Sequence, residues 1–235
     1  MKTYAVLLAA GCGNRFGSKE NKVFQMIGDH TMLERAAACL LDHREIAGLI
    51  VVAQKSEHKR IEGMMAKTFS KHPIRVVTGG ESRQASALAG LVAAADLSGL
   101  TLPTKRVAVL IHDAARCFLP QSIISDLIDT IRKEQCGVAP VIAVTDTVRL
   151  LDESCSAILK TLPRNRLVAM QTPQGADLDV LLAAARQAQE KNIDVTDDLE
   201  LLIRVGYPVK LIKGNLCNIK ITTPDDVLFA GYVTG

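Results

Sequence analysis

Leu7-Leu8-Ala9-Ala10-Gly11-Cys12-Gly13-Asn14-Arg15-Phe16-Gly17-Ser18-Lys19-Glu20-Asn21-Lys22 is the stretch that decides the fold. It opens as the end of an apolar strand, Tyr4 to Leu8, and continues as a loop of small residues. Small residues let a ligand approach the backbone, and glycine takes the positive φ angles that turn successive N–H groups inward as an anion-binding concavity. Arg15, Lys19 and Lys22 add positive charge at the same place, which suits a triphosphate. No Gly-Lys-Ser/Thr closes the loop, so it is not a P-loop, and Phe16 stands where a dinucleotide fingerprint needs its third glycine.

Outward from this loop, strands and helices alternate. Thr31 to Glu34 reads as a capping box, with Met32, Leu33, Ala36, Ala37 and Leu40 as an apolar helical stripe. Strands are expected at Gly48–Ala53, Ile74–Val77, Val107–Ile111 and Gly137–Val144. Helices are expected from Ser56, as cap, to about Phe69, from the Gly79–Ser86 turn to about Ala95, and from Gln121 to Glu134. This alternation predicts a Rossmann-like, doubly wound α/β fold with a mostly parallel sheet, whose ligand sits at the carboxyl ends of the strands. The first loop, the Gly79–Ser86 turn and Asp113–Arg116 each follow such an end, so the three are expected to converge.

Between Thr145 and Gln171 the helical periodicity lapses. Thr147–Leu151 and Ala157–Thr161 read as two short strands around Asp152-Glu153-Ser154-Cys155-Ser156, an arm of about residues 145–167 on an otherwise single domain spanning 1–235. Beyond it, helix is expected over Ala176–Glu190 and Leu199–Val205, strand over Val209–Ile212 and Asn218–Thr222, and a last helix from Pro224.

Composition narrows the classes. Of 235 residues, 48% are apolar and only 3% aromatic, with no Trp and a net charge of +3. That argues against stacking platforms or basic surfaces for nucleic acid. The six cysteines form no C-x-x-C pair, so neither a zinc site nor a disulfide framework is suggested, and a reduced cytoplasmic chain is expected. Met1 to Cys12 mimics a lipoprotein signal. Its apolar core is minimal, its positive region is a single Lys, and cleavage would remove the first strand, so no signal is expected. No apolar run is long enough to span a membrane.

Lys22 and Arg15 can offset charge developing on an α-phosphate and a leaving pyrophosphate. Asp113 can touch a ribose hydroxyl or a magnesium ion, or cap the next turn. His112 reads as a packed, hydrogen-bonded residue. Lys220 inside Asn218-Ile-Lys-Ile-Thr222 needs a partner if it is buried, or an edge if it is not. Cys12, between two glycines and near Arg15, is a candidate low-pKa thiol.

The Ala-Ala-Gly-x-Gly-x-Arg loop with Lys22 resembles the nucleotidyltransferases that join a nucleoside triphosphate to a phosphorylated small molecule. Gly79-Gly-Glu-Ser-Arg83, His112-Asp-Ala-Ala-Arg116, Asp146-Thr147, Thr172-Pro-Gln174, Thr196-Asp197 and Asn218–Thr222 occur in the order of one family. Together they resemble the 2-C-methyl-D-erythritol 4-phosphate cytidylyltransferase family of the non-mevalonate isoprenoid pathway. The resemblance implies attack of the polyol phosphate on the α-phosphate of CTP, giving the CDP-alcohol and pyrophosphate, with magnesium carried mainly on the CTP phosphates. It implies Arg15 and Lys22 as transition-state stabilisers, and Arg164 and Lys220 as residues that position the sugar phosphate. Ala9, Ala10, Gly11 and Gly13 match the phosphate loop, and Gly79, Gly80 and Ser86 the turn that reads cytosine. Asp113, Ala114, Arg116, Thr147, Thr172 and Thr196 match ribose or polyol neighbours. The arm would embrace a second subunit, so that Thr147 and Arg164 serve the partner's site in a homodimer. Metal ligands on the protein are unassigned.

Three departures stand out: Asn21 where the family usually has Pro, Cys117 where Pro commonly follows Arg, and Asp198-Leu199 where Glu-Ala is usual. A related branch transfers CMP to ribitol 5-phosphate, and Ala114-Ala115 looks more like the methylerythritol branch. An NAD(P) reading wants an acidic residue closing the second strand, where the chain has Ala53-Gln54-Lys55. A non-catalytic nucleotide-binding module would predict loss of Arg15, Lys22 or Lys220, and all three are present.

Overall fold

Four strand ends lie level with one another, and the register of the sheet puts them there. The computed structural model describes residues 1–11, 20–99 and 106–234. Strand β1 (Lys2–Leu8) pairs in parallel with β4 (Ile46–Ala53) on one side and β6 (Val107–Asp113) on the other. Leu8 lies opposite both Val52 and Asp113, and Ala53 lies opposite Thr78 of β5 (Ile74–Thr78). The loops leaving these strands therefore start from one edge.

Beyond β6 the sheet turns antiparallel. β11 (Gln174–Asp177) runs between β6 and β7 (Gly137–Ala143), and β7 also pairs with β10 (Val168–Met170, antiparallel) and β12 (Val209–Lys213, parallel). A further short hairpin, β2 (Met26–Ile27) with β3 (His30–Thr31), precedes the first helix.

Helices cover both faces, so the central strands are apolar on both. Ala5, Leu7, Leu49, Val51 and Leu110 pack on one side with α1 (Met32–Leu41), α2 (His58–Thr68) and α4 (Gln121–Glu134). Val6, Ile50, Val52, Val109 and Ile111 pack on the other with α3 (Arg83–Ser98), α5 (Leu178–Glu190) and α6 (Asp198–Arg204). The period-two alternation of a strand sends neighbouring residues to the two cores.

The capping box forms as expected: Thr31 Oγ1 accepts from Glu34 N–H, and Glu34 Oε2 accepts from Thr31 N–H. Ser56 does not cap α2; it lies within a 3-10 turn, Lys55–Glu57, ahead of that helix. The stretch Ala176–Glu190 is not all helix, because Gln174–Asp177 is a strand. A side chain on Gly175 would meet Leu110 Cδ2 at 2.4 Å, so only glycine lets this strand lie against β6. Asn218–Thr222 is not a strand either. Its backbone finds isolated partners, Asn218 N–H on Asn215 O and Ile221 N–H on Ala115 O, instead of a ladder. The last helix, α7, spans Pro224–Thr234.

The arm is a separate two-stranded unit. β8 (Arg149–Leu151) begins two residues after Thr147 and pairs with β9 (Ile158–Thr161) alone among the described residues. Asp152 organises the turn by accepting from Ser156 N–H and Ala157 N–H. Leu150, Leu151, Ile158 and Leu159 stand 42–66% exposed on it.

Candidate active site

The loop leaving β1 and the Gly79–Ser86 turn approach each other at their bases. Ala9 N–H donates to Val52 O at 2.8 Å, and Gly79 N–H donates to Ala53 O at 2.9 Å. A side chain on Gly79 would sit 2.6 Å from Ala10 Cβ and 2.8 Å from Ser86 Oγ, and one on Gly80 would sit 2.4 Å from Ala85 Cβ. Both glycines are thus required by close approach. Buried Ser86 accepts from Gly80 N–H at 3.2 Å and fixes the turn. Gly11 is the last described residue before the gap; Cys12, Gly13, Arg15 and Lys19 lie outside the described residues.

A line of alternating charge crosses the strand ends. Lys220 Nζ lies 2.6 Å from Asp113 Oδ2, Asp113 Oδ1 lies 3.5 Å from Arg83 Nε, and Arg83 Nη2 lies 2.7 Å from Asp198 Oδ2. Asp113 and Asp198 are buried, so each charge depends on its neighbours. Burial alone would raise the Asp113 carboxyl, yet Arg83 and Lys220 together hold it down at about 2. Burial raises the Asp198 carboxyl despite Arg83 beside it. The Asp113 side chain is therefore an ion-pair partner; the turn after it is closed by backbone, Arg116 N–H on Asp113 O.

Lys22 reaches the same place from the other end of the chain. Its Nζ donates to Ile221 O at 2.7 Å, one residue from Lys220. The Asn215–Thr222 segment is pinned by Gln171, whose Nε2 donates to Asn215 O and Asn218 O, and by Arg116, whose Nη1 donates to Asn218 O at 2.7 Å. Asn218 Nδ2 in turn donates to Thr172 O.

His112 is fully buried, and its tautomer follows from its partners. The Arg116 carbonyl can only accept, so Nε2–H donates to Arg116 O at 2.9 Å and Nδ1 of the neutral ring accepts from the Thr172 hydroxyl at 3.0 Å, while Thr172 Oγ1 also accepts from Asp113 N–H. Burial pushes the imidazole down to about 4. His112 is a neutral strut, as the sequence suggests. Thr172 uses its hydroxyl proton inside the chain, so what it supplies to the site is the position of Asp113.

Other expected residues are not gathered here. Thr147 and Arg164 are exposed in the arm region; Arg164 Nη1 donates to Thr145 O at 2.7 Å and closes the arm's base. Thr196 is exposed, and both its N–H and its hydroxyl donate to Glu200 Oε2. The Thr-Pro-Gln and Thr-Asp motifs meet through Gln174, which donates to Asp197 Oδ2 and accepts from Asp198 and Leu199 N–H. Ala114 is buried, with its N–H on Leu8 O. Burial pushes the Cys117 thiol up to about 12. Arg83 and Gln171 are assigned no role by sequence reasoning. The signals for Arg83 are its place as the last residue of the Gly79-Gly-Glu-Ser-Arg83 motif and directly after the cap residue Ser82.

Among the described residues, no group of three or more His, Cys, Asp or Glu could hold a metal, and no helix is long and apolar enough to cross a membrane. A model of the family described as IspD, 2-C-methyl-D-erythritol 4-phosphate cytidylyltransferase, matches residues 3–234. The chain belongs to this family. A 2-C-methyl-D-erythritol 4-phosphate cytidylyltransferase of Microcystis aeruginosa is 34% identical over 230 residues, covering 98% of this chain and 97% of the relative. The crystal structure of the 4-diphosphocytidyl-2C-methyl-D-erythritol synthase of Anaerococcus prevotii superposes with a TM-score of 0.81 at 28% identity, covering 100% of this chain and 96% of that one. That of the cytidylyltransferase of Thermus thermophilus gives 0.76 at 27% identity, covering 99% and 98%. The cytidylyltransferase fold in these relatives is thus the doubly wound sheet described above, over essentially the whole chain.

Proposed function

We propose that this chain transfers CMP from CTP to 2-C-methyl-D-erythritol 4-phosphate. A phosphate oxygen of the polyol attacks the α-phosphorus, a new P–O bond forms, the bond to the β-phosphate breaks, and pyrophosphate leaves with the electron pair. No protein nucleophile is needed. The observation that carries the reading is the convergence of Lys22 and Lys220 on one short segment beside the level ends of β1 and β6.

Lys22 and Arg15 stabilise charge on the α-phosphate and the leaving group, where preorganised cations gain most. Ala9, Ala10, Gly11 and Gly13 lie along the triphosphate, while Gly79, Gly80 and Ser86 read cytosine through the backbone. Lys220 and, from a second subunit, Arg164 hold the sugar phosphate. Asp113, Ala114, Arg116, Thr147, Thr172 and Thr196 border ribose or polyol, directly or by ordering their neighbours. A divalent cation, magnesium in this reading, arrives on the CTP phosphates, the usual mode for a cation that dehydrates reluctantly. Asp113 is already committed to two cations, which supports a metal bound through the substrate.

The working form is a cytoplasmic homodimer of one nucleotidyltransferase domain, residues 1–235, with the arm at about 145–167 as its embrace. The exposed leucines and isoleucine of β8 and β9 support that surface. The deciding experiment is pyrophosphate release with each of the four triphosphates against methylerythritol phosphate and ribitol phosphate. Release confined to CTP with methylerythritol phosphate is expected; equal or faster turnover of ribitol phosphate would replace the acceptor.

A further inference from the structure

The segment that delivers Lys22 is fastened by a side chain. Asn21 is 7% exposed, an unusual place for an amide unless all its groups are used. Its Nδ2 donates to Ala9 O at 2.9 Å and to Glu57 Oε2 at 3.1 Å, while its Oδ1 accepts from Val23 N–H at 3.3 Å. Ala9 is where the loop leaves β1, and Asn21 is the residue before Lys22. One side chain thus joins the two feet of the loop to each other and to the turn ahead of α2. A second grip lies alongside: Arg60 of α2 pairs with Glu20 at 2.5 Å and places its guanidinium over the Phe24 ring, 3.7 Å from the centroid. Val23 and Phe24 are buried beneath.

We propose that Asn21 is a positioning residue for the transfer reaction: its hydrogen bonds to Ala9 and Glu57 fix the place from which Lys22 reaches the reacting phosphate. A loop whose two ends are tied holds its terminal lysine in one register with the strand ends. With the tie removed, Lys22 keeps its charge and its reach but samples several placements. Small misplacements of a group that acts on the transition state cost rate more than binding. The inference rests on the reading of Lys22 as a catalytic cation.

The test uses Asn21→Ala and Asn21→Asp, alone and in a Lys22→Ala background, with Glu57→Ala as a milder cut of one bond. Asn21→Asp keeps the shape and the acceptor for Val23 but loses both donations and sets a carboxylate against Glu57. Both Asn21 variants are expected to lower kcat roughly ten- to a hundredfold, with the KM for the polyol phosphate near that of the parent. Glu57→Ala should fall in the same direction by less. In the Lys22→Ala background the Asn21 change should cost almost nothing further, because the group it positions is gone. Folded Asn21 variants with parental kcat would overturn the proposal, as would a full additional loss on top of Lys22→Ala. Parental kcat in Lys22→Ala alone would instead overturn the reading of Lys22, so the two failures are told apart. If Asn21→Ala does not fold, Asn21→Asp and Glu57→Ala carry the same comparison.

Discussion

Asp113 faces two cations at once, Lys220 at 2.6 Å from one oxygen and Arg83 at 3.5 Å from the other. The carboxylate is a keystone: it draws the chain's penultimate segment to β6 while anchoring the start of α3. Arg83 continues the line to Asp198, whose side chain is only 2% exposed. Replacing Arg83 by Met removes the cation between two buried carboxylates. Breaking one partner of a buried pair costs roughly 3–5 kcal/mol, and that loss is expected in urea unfolding of Arg83→Met. A loss below about 1 kcal/mol, the size of an exposed pair, would contradict the arrangement.

The second expectation concerns acid. His112 has a folded pKa near 4, below its ordinary 6.5, because burial disfavours the charged ring. Between those values the unfolded chain takes up a proton that the native state refuses. The His112 contribution is therefore complete above about 6.5 and lost progressively as the pH falls to about 4. Asp113, held at about 2 against an ordinary 3.8, adds a second loss at still lower pH. Thermal unfolding from pH 7.5 to 4.5 should show a falling Tm that is flatter in His112→Gln, whose amide can still donate to Arg116 O. Parallel slopes in the two proteins would remove His112 from the acid response.

Kinetics should separate the cations of the first loop from groups that only bind. Lys22→Ala and Arg15→Ala are each expected to lower kcat by a few hundredfold, about 2.7–4 kcal/mol of transition-state stabilisation, with far smaller changes in KM for CTP. Pyrophosphate release measures both. Near-parental turnover in both variants would sink the assignment.

For the arm, the expected outcome is complementation. Arg164→Ala and Lys22→Ala should each be nearly inactive, and mixing them should restore some activity through hybrid dimers that assemble one intact site. Isolated two-stranded units are marginal in water, so β8 and β9 with their exposed apolar side chains gain most from a second chain. Sedimentation of an active monomer would refute the arm's role and the shared site together.

Most of the architecture can be read in the residues, and the misreadings have physical causes. The strand that ends at Leu8 and the capping box at Thr31 depend on neighbours in sequence, so their patterns are local and both are found. Asn218–Thr222 has the alternation of a strand, with Ile221 buried and Lys220 turned to Asp113, but whether a ladder forms depends on what lies beside it. Beside it lie Gln171, Arg116 and Ala115, which satisfy its backbone one group at a time. Gln174–Asp177 fails in the opposite way: all four of its residues are small or polar, and only the slot between β6 and β7 makes them a strand. At the site, Lys220 and Asp113 stand out from sequence as charged residues next to apolar runs. Arg83 is visible only as the end of a motif and Asn21 only as a departure from one, because what gives each its work is a residue far along the chain, Asp198 for one and Glu57 for the other.

The bond from Lys22 to the Ile221 carbonyl sets an order of events during synthesis. The parallel centre of the sheet, β1, β4, β5 and β6, is complete once Asp113 has been made. At typical elongation rates the residues through Thr222 follow roughly ten seconds later. Throughout that interval the nascent chain carries Lys22 but has neither Lys220 nor the Ile221 carbonyl that Lys22 reaches. If Lys22 and Lys220 act as proposed, catalytic competence is among the last properties the ribosome confers, because a chain released before Ile221 lacks both Lys220 and the carbonyl that Lys22 reaches.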